Sequence, residues 1–144
     1  MNSDAVAGSD VAARPGGPRA IVMGHGDFAV GLISAVDQIT GRGRLLMPVA
    51  VKQLGIEDIE ALLRKEMLAS GVRVIFTDLQ AGSCTMASRR ILRGMEDAVL
   101  IAGVNLPTLL DFVFADTLPP VAAALQAAEK GRSSITAVGG SAPK

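Results

Sequence analysis

A chain of 144 residues matches one domain of the usual size, about 100–200 residues. Hydrophobic residues make up 49% of it, ample for a core, which excludes wholesale disorder. Lys plus Arg number 14 and Asp plus Glu number 14, so the net charge is zero and the basic excess that a nucleic-acid binder uses against phosphates is missing.

Residues 1–18, MNSDAVAGSDVAARPGGP, are rich in small residues, Gly and Pro, with no period and no apolar h-region. They read as a disordered tail rather than a signal peptide, and without a targeting segment the cytoplasm is the expected compartment. The domain is then expected over 19–144. RAIVMG (19–24) is a continuous apolar run ending at Gly, the pattern of a buried strand. DFAVGLISAVDQIT follows with Phe28, Leu32, Ala35, Val36 and Ile39 at helical spacing, closed by GRG. RLLMPVAV (44–51) predicts a second strand, with Pro48 favouring an edge or a bend. IEDIEALLRKEMLAS puts Ile56, Ile59, Leu62, Leu63 and Met67 on one helix face and stops at Gly71. VRVIFTD (72–78) predicts a third strand, Ser83–Arg93 a helix with a basic outer face, and DAVLIAGV (97–104) a fourth strand. Leu106–Ala115 and Pro119–Lys130 predict two more helices, the second opened by prolines and closed by Gly131. SSITAV (133–138) has the composition of a short final strand. The longest strongly apolar piece, Ala98–Val104, falls far short of the roughly 18 residues that a membrane-spanning helix requires.

Strands alternating with helices, each strand continuously apolar, point to an open, mainly parallel, doubly wound α/β sheet with helices on both faces. Ligands in such sheets bind beyond the carboxyl ends of the strands, where the strand order reverses. The loops there are Met23-Gly24-His25-Gly26-Asp27, Thr77-Asp78-Leu79-Gln80-Ala81-Gly82-Ser83 and Gly103-Val104-Asn105. His25 is the chain's one histidine, which excludes a His-cluster metal site, and Cys84 its one cysteine, which excludes an internal disulfide framework. A histidine between glycines can be a loop residue at a tight turn. Here Gly24 and Gly26 leave the ring accessible, and the helix starting near Asp27 aims N–H groups at the same place, which suits a nucleophile carrying a phosphoryl group. Asp78 is either an N-cap or, if the first and third strands are neighbours, the acceptor that fixes the imidazole tautomer. Ala81-Gly82-Ser83 can offer N–H groups and a hydroxyl to phosphoryl oxygens, or simply cap the helix with Ser83. GHGDFAVG is not a dinucleotide fingerprint, and no P-loop is present. Cys84 reads as a small packed residue, with a helix-terminal nucleophile as the alternative. Arg89, Arg90 and Arg93 read as a solvated face, or else a docking surface for an acidic partner. Met23, Met47, Met67, Met86 and Met95 read as core filler.

Taken in order, GHGDFAVGL, TDLQAGSCTMASRR and AGVNLPTLLD resemble the enzyme IIA domain of the mannose family of the bacterial phosphoenolpyruvate:sugar phosphotransferase system, over about Arg19–Arg132. The TD-L and S-AS-R pattern is most similar to branches that transport N-acetylgalactosamine and related amino sugars. The resemblance implies a sheet of order 2-1-3-4 plus an antiparallel C-terminal strand exchanged in a homodimer. It places the phosphorylated histidine on His25, its partner aspartate on Asp78 and the active-site serine on Ser83, with Gly24, Gly26, Leu79, Gly82 and Ser83 around the phosphoryl group. The implied partners are an HPr-like phosphocarrier as donor, a separate IIB component as acceptor and, indirectly, membrane IIC and IID components; no cofactor or metal is implied. Where the family has Gly-Gly-Ser/Thr-Pro this chain has Ala81-Gly82-Ser83-Cys84, which narrows backbone freedom and frees an N–H at the helix start. The alternatives are a regulatory protein whose His25 phosphorylation state is the signal, the phosphotransferase subunit of a dihydroxyacetone kinase, and a ligand-binding α/β domain without phosphotransfer.

Overall fold

The computed structural model describes residues 16–141 and 143. The chain alternates strand and helix: β1 (Ala20–Met23), α1 (Phe28–Thr40), β2 (Leu46–Pro48), α2 (Ile56–Ser70), β3 (Val74–Thr77), α3 (Ser83–Leu92), β4 (Val99–Ala102), α4 (Leu106–Phe114) and α5 (Pro120–Ser133). The four strands form one sheet in the order β2-β1-β3-β4, all pairs parallel. This is the doubly wound α/β architecture and the strand order anticipated above.

The continuous apolar strands follow from burial on both faces. Ala20, Val22, Leu46, Val74 and Phe76 pack with residues of α1, α4 and α5, among them Val36, Phe112 and Ala124. Ile21, Met23 and Ile75 pack on the other face with Ile59, Leu63 and Met67 of α2 and Ala87 and Ile91 of α3. Successive residues of a strand point to opposite faces, so a strand in the middle layer needs an apolar side chain at every position. Phe76 and Phe112 meet edge to face at 5.2 Å, tying β3 to α4.

The helices α1 and α2 end where glycine permits a left-handed residue, at Gly41 (φ 71°) and Gly71 (φ 75°), each donating its N–H back into the helix. Several expectations need correction. The second strand covers only 46–48, because Gly43–Leu45 forms a 3₁₀ turn and Pro48, lacking an N–H, leaves the ladder just one further bond, from the Val49 N–H to Val22 O. The third and fourth strands are shorter than predicted. Gly131 does not close the last helix: α5 continues through it to Ser133, and a Cβ there would lie 1.8 Å from Thr108 Oγ1. That glycine is a point of close approach between α4 and α5. The strand predicted over 133–138 does not form in the single chain: α5 runs on through Ser133, and Ile135 and Val138 are 80% and 91% exposed. Most of the expected 1–18 tail lies outside the described residues.

Candidate active site

In a sheet of order 2-1-3-4 the chain leaves β1 in one direction and returns to β3 on the other side, so the crevice opens between the carboxyl ends of β1 and β3. His25 follows β1 and Asp78 follows β3. The register pairs Met23 with Thr77, which brings the two loops side by side.

One carboxylate oxygen organises the histidine. Asp78 Oδ2 accepts the His25 backbone N–H at 2.8 Å and lies 2.8 Å from the ring Nδ1. A carboxylate can only accept, so Nδ1 carries the hydrogen and Nε2 keeps its lone pair. The Asp78 side chain is 11% exposed and that of His25 is 63% exposed, so a buried anion holds an imidazole that faces solvent. Burial alone would raise the Asp78 pKa. The hydrogen bonds from the His25 backbone and ring, the charge of that ring when it is protonated and the aspartate's own N–H outweigh it and hold the carboxyl below its ordinary value. Asp78 is not a helix cap, since α3 has Gly82 at its N-cap.

The glycines have separate duties. Gly24 is buried, and a Cβ there would come within 2.7 Å of Phe28 Cδ2 and 2.9 Å of Asp78 Cγ. It therefore makes room for the carboxylate, rather than opening the face of the ring as its position in the sequence suggested. Gly26 (φ 54°) turns the chain into α1, and the Phe28 N–H closes that turn on His25 O at 3.1 Å. Gly82 (φ 118°) brings the start of α3 against the ring, where a Cβ would sit 3.5 Å from His25 Cε1. Ser83 is the first residue of α3 and lines, together with His25, Gly24 and Gly26, a groove of about 330 Å³. The amino end of α3, with its dipole and free N–H groups, thus lies beside the imidazole, an arrangement that favours an anion. Leu79 contributes differently: its side chain is 52% exposed and outside the groove lining, while its carbonyl is anchored from below.

Sequence reasoning missed that anchor. Thr85 Oγ1 lies 2.7 Å from Thr77 Oγ1 and donates to Leu79 O at 2.5 Å, and both threonines are buried. Together they brace the loop that carries Asp78; a threonine closing an otherwise apolar strand was the available signal. The far wall of the groove, Val51–Leu54 in the β2–α2 loop, was also missed. Lys52 stands there with Nζ 3.7 Å from Asp27 Oδ1, both side chains solvent-exposed, and Gln53 takes a left-handed conformation (φ 61°). The loop after β2 neighbours the end of β1, so the strand order would have revealed it.

Cys84 is buried against α2, and burial together with the charge of Asp78 pushes its thiol pKa up, the opposite of what a thiolate nucleophile needs. Arg89, Arg90 and Arg93 are exposed, with Arg90 3.7 Å from Glu60 of α2. Met86, expected in the core, is 45% exposed on α3.

The fold and the site together define a class: a doubly wound α/β protein presenting one carboxylate-oriented histidine at its switch point. A sequence model described as the PTS system fructose IIA component, EIIA-man, matches residues 19–129. The chain belongs to this family and is thereby a phosphotransferase component of sugar transport systems. Its fold is similar to that of the mannose/sorbose specific IIA subunit of the phosphotransferase system from Enterococcus faecalis, at 18% identity and TM-score 0.71, covering 89% of this chain and 99% of that one. It is also similar to phosphotransferase system component EIIA from Streptococcus agalactiae, at 20% identity and TM-score 0.66, covering 78% and 93%. A third similar structure is the PTS IIA protein associated with the fucose utilization operon from Streptococcus pneumoniae, at 16% identity and TM-score 0.67, covering 88% and 96%. At these identities the likeness is one of fold. No curated protein gives a significant sequence match. Among the described residues no helix is long and apolar enough to cross a membrane.

Proposed function

We propose that the chain is a phosphoryl carrier that takes a phosphoryl group from an HPr-like phosphocarrier onto Nε2 of His25 and passes it to a IIB component. The observation that carries this reading is the solvent-exposed ring of His25, whose Nδ1 is held 2.8 Å from Asp78 Oδ2 beside the start of α3. In the first step the Nε2 lone pair attacks the donor's phosphorus in line. The new N–P bond forms as the donor's N–P bond breaks, and that electron pair returns to the donor's ring nitrogen. The positive charge developing on the His25 ring is balanced by Asp78, and the Nδ1 hydrogen stays where it is. The α3 amino end and Lys52 face the incoming phosphoryl oxygens. Transfer to the IIB component is the same exchange in reverse. Catalysis of this kind is positioning and charge stabilisation, and it calls for no metal or organic cofactor.

In this reading the IIA domain spans 19–144, the compartment is cytoplasmic and the membrane IIC and IID components are reached only through IIB. The four residues of β4 are only partly buried, with Ile135 exposed nearby, which supports a homodimer closed by the C-terminal segment. The test is incubation with phosphoenolpyruvate, enzyme I and HPr, followed by intact mass at alkaline pH. Wild type should gain one acid-labile phosphoryl group and His25→Ala none, with an unchanged circular dichroism spectrum. Full labelling of the alanine variant removes the site assignment.

A further inference from the structure

Parallel strands share a starting edge as well as a finishing one. Arg19 stands directly before β1, Arg73 directly before β3 and Arg44 two residues before β2. The pairing of Ile21 with Ile75, continued two residues back, sets Arg19 beside Arg73. The Arg19 N–H donates to Leu45 O at 2.7 Å, which brings Arg44 next in the row. All three arginines line one cavity of about 610 Å³, almost twice the groove at His25. Pockets of about 300–1,000 Å³ are typical of small-molecule sites.

Three arginines and two aspartates line this cavity. Arg73 Nε lies 3.2 Å from Asp97 Oδ2. Asp116, the other carboxylate of the lining, is already 2.9 Å from Arg42. Arg19 donates to the backbone carbonyls of Ala115 at 3.3 Å and of Leu118, with its guanidinium over the Phe112 ring at 5.7 Å. Arg44 donates to Gly41 O at 3.2 Å. Among the described residues, then, Arg19 and Arg44 meet no carboxylate at ion-pair distance. The amino end of α5, at Pro119 to Val121, opens into the same cavity, and the carboxyl ends of α1, α2 and α4 lie against its arginines, the carbonyls of Gly41, Met67 and Ala115 accepting from Arg44, Arg73 and Arg19. Leu45, Val72 and Val121 supply an apolar wall.

Arg19 and Arg73 are both clamped by backbone carbonyls, Arg73 by those of Met67 and Val72. Their planar forks are set before any ligand arrives, which lowers the ordering cost of binding. We infer that this cavity binds a small organic anion, a phosphate or carboxylate group on an apolar body, with Arg19, Arg44 and Arg73 receiving the charged group. The site is separate from the phosphoryl site: the five steps from Arg19 to Gly24 span about 16 Å at strand rise. It rests on its own observations and not on the role proposed for His25.

The test is a titration of the ¹⁵N-labelled full chain near neutral pH with phenyl phosphate, with benzoate, and with benzyl alcohol as the neutral control, followed by amide resonances. At least one anion should shift Arg19, Leu45, Val72, Arg73 and Val121 saturably while benzyl alcohol does not. The tighter of the two anions then identifies the charged group. Arg44→Gln changes an exposed side chain and should weaken binding about tenfold, the loss of one charge-assisted contact. Arg73→Gln serves as a second variant. Shifts that fail to saturate with both anions, an equal response to benzyl alcohol, or unchanged affinity in both variants overturns the inference. Phosphorylation of His25 is read at the other edge of the sheet, so either result can fail while the other stands.

Discussion

Gly24 and Asp78 compete for one space: a Cβ on residue 24 would lie 2.9 Å from both Cγ and Oδ2 of Asp78. The oxygen displaced by such a methyl is the one that accepts both N–H groups of His25. The glycine before the histidine therefore acts through the aspartate, on a different strand.

Gly24→Ala is expected to destabilise the fold by about 1–3 kcal/mol through overpacking against Phe28 and Asp78. It should also slow phosphoryl acceptance by on the order of 10²-fold, because a displaced carboxylate misorients the ring. Urea denaturation measures the first effect and quench-flow labelling by HPr the second. Near-wild-type values in both would mean that Asp78 can orient His25 from a second position.

Asp78→Asn should leave the circular dichroism spectrum unchanged and slow labelling at least about a hundredfold. The amide lacks the negative charge that balances the imidazolium, and once flipped it donates to Nδ1 and selects the wrong tautomer. A rate within a few-fold of wild type would reduce Asp78 to a turn residue. The same variant should alter the acid limb of stability. The carboxyl of Asp78 is held below its ordinary value in the folded chain, so the unfolded chain binds more protons there and stability rises with pH. The wild-type advantage is complete above the unfolded aspartate value of about 3.9 and is lost as pH falls through the folded one. Urea midpoints for wild type and Asp78→Asn should therefore converge on acidification; parallel curves would contradict the assignment.

Thr85→Val removes the hydroxyl that bonds Leu79 O and Thr77 Oγ1. Leaving buried groups without their partner is expected to cost about 1–3 kcal/mol. Because the loop from Thr77 to Gly82 carries Asp78, labelling should slow as well, while Thr85→Ser, which restores the hydroxyl, should recover most of both. Failure of the serine variant to recover the rate would show that the methyl group, and not the hydrogen bond, holds the loop.

The open β4 edge predicts a homodimer at micromolar concentration in sedimentation velocity. Ile135→Asp, at a position 80% exposed in the single chain, should shift the population to monomer without lowering monomer helicity. A chain sedimenting wholly as monomer before the substitution would rule out the exchanged C-terminal segment.

The alternation of strands and helices, their parallel class and most helix ends were readable from the sequence alone, because they depend on local rules. Apolar runs mark strands covered on both faces, and Gly41 and Gly71 stop helices where a left-handed residue is needed. Gly131 misled the same reasoning, since its purpose is contact with Thr108 across two helices rather than a local stop. His25 and Asp78 could be chosen as candidates because strand ends are where such sheets bind ligands. Their 2.8 Å contact exists only because β1 and β3 are neighbours, which the sheet order decides. The Thr77–Thr85 brace, the Lys52 wall and the row formed by Arg44, Arg19 and Arg73 join residues far apart in the chain. No periodicity encodes such neighbours; they come into being when the sheet assembles and sets the starts and ends of its strands side by side.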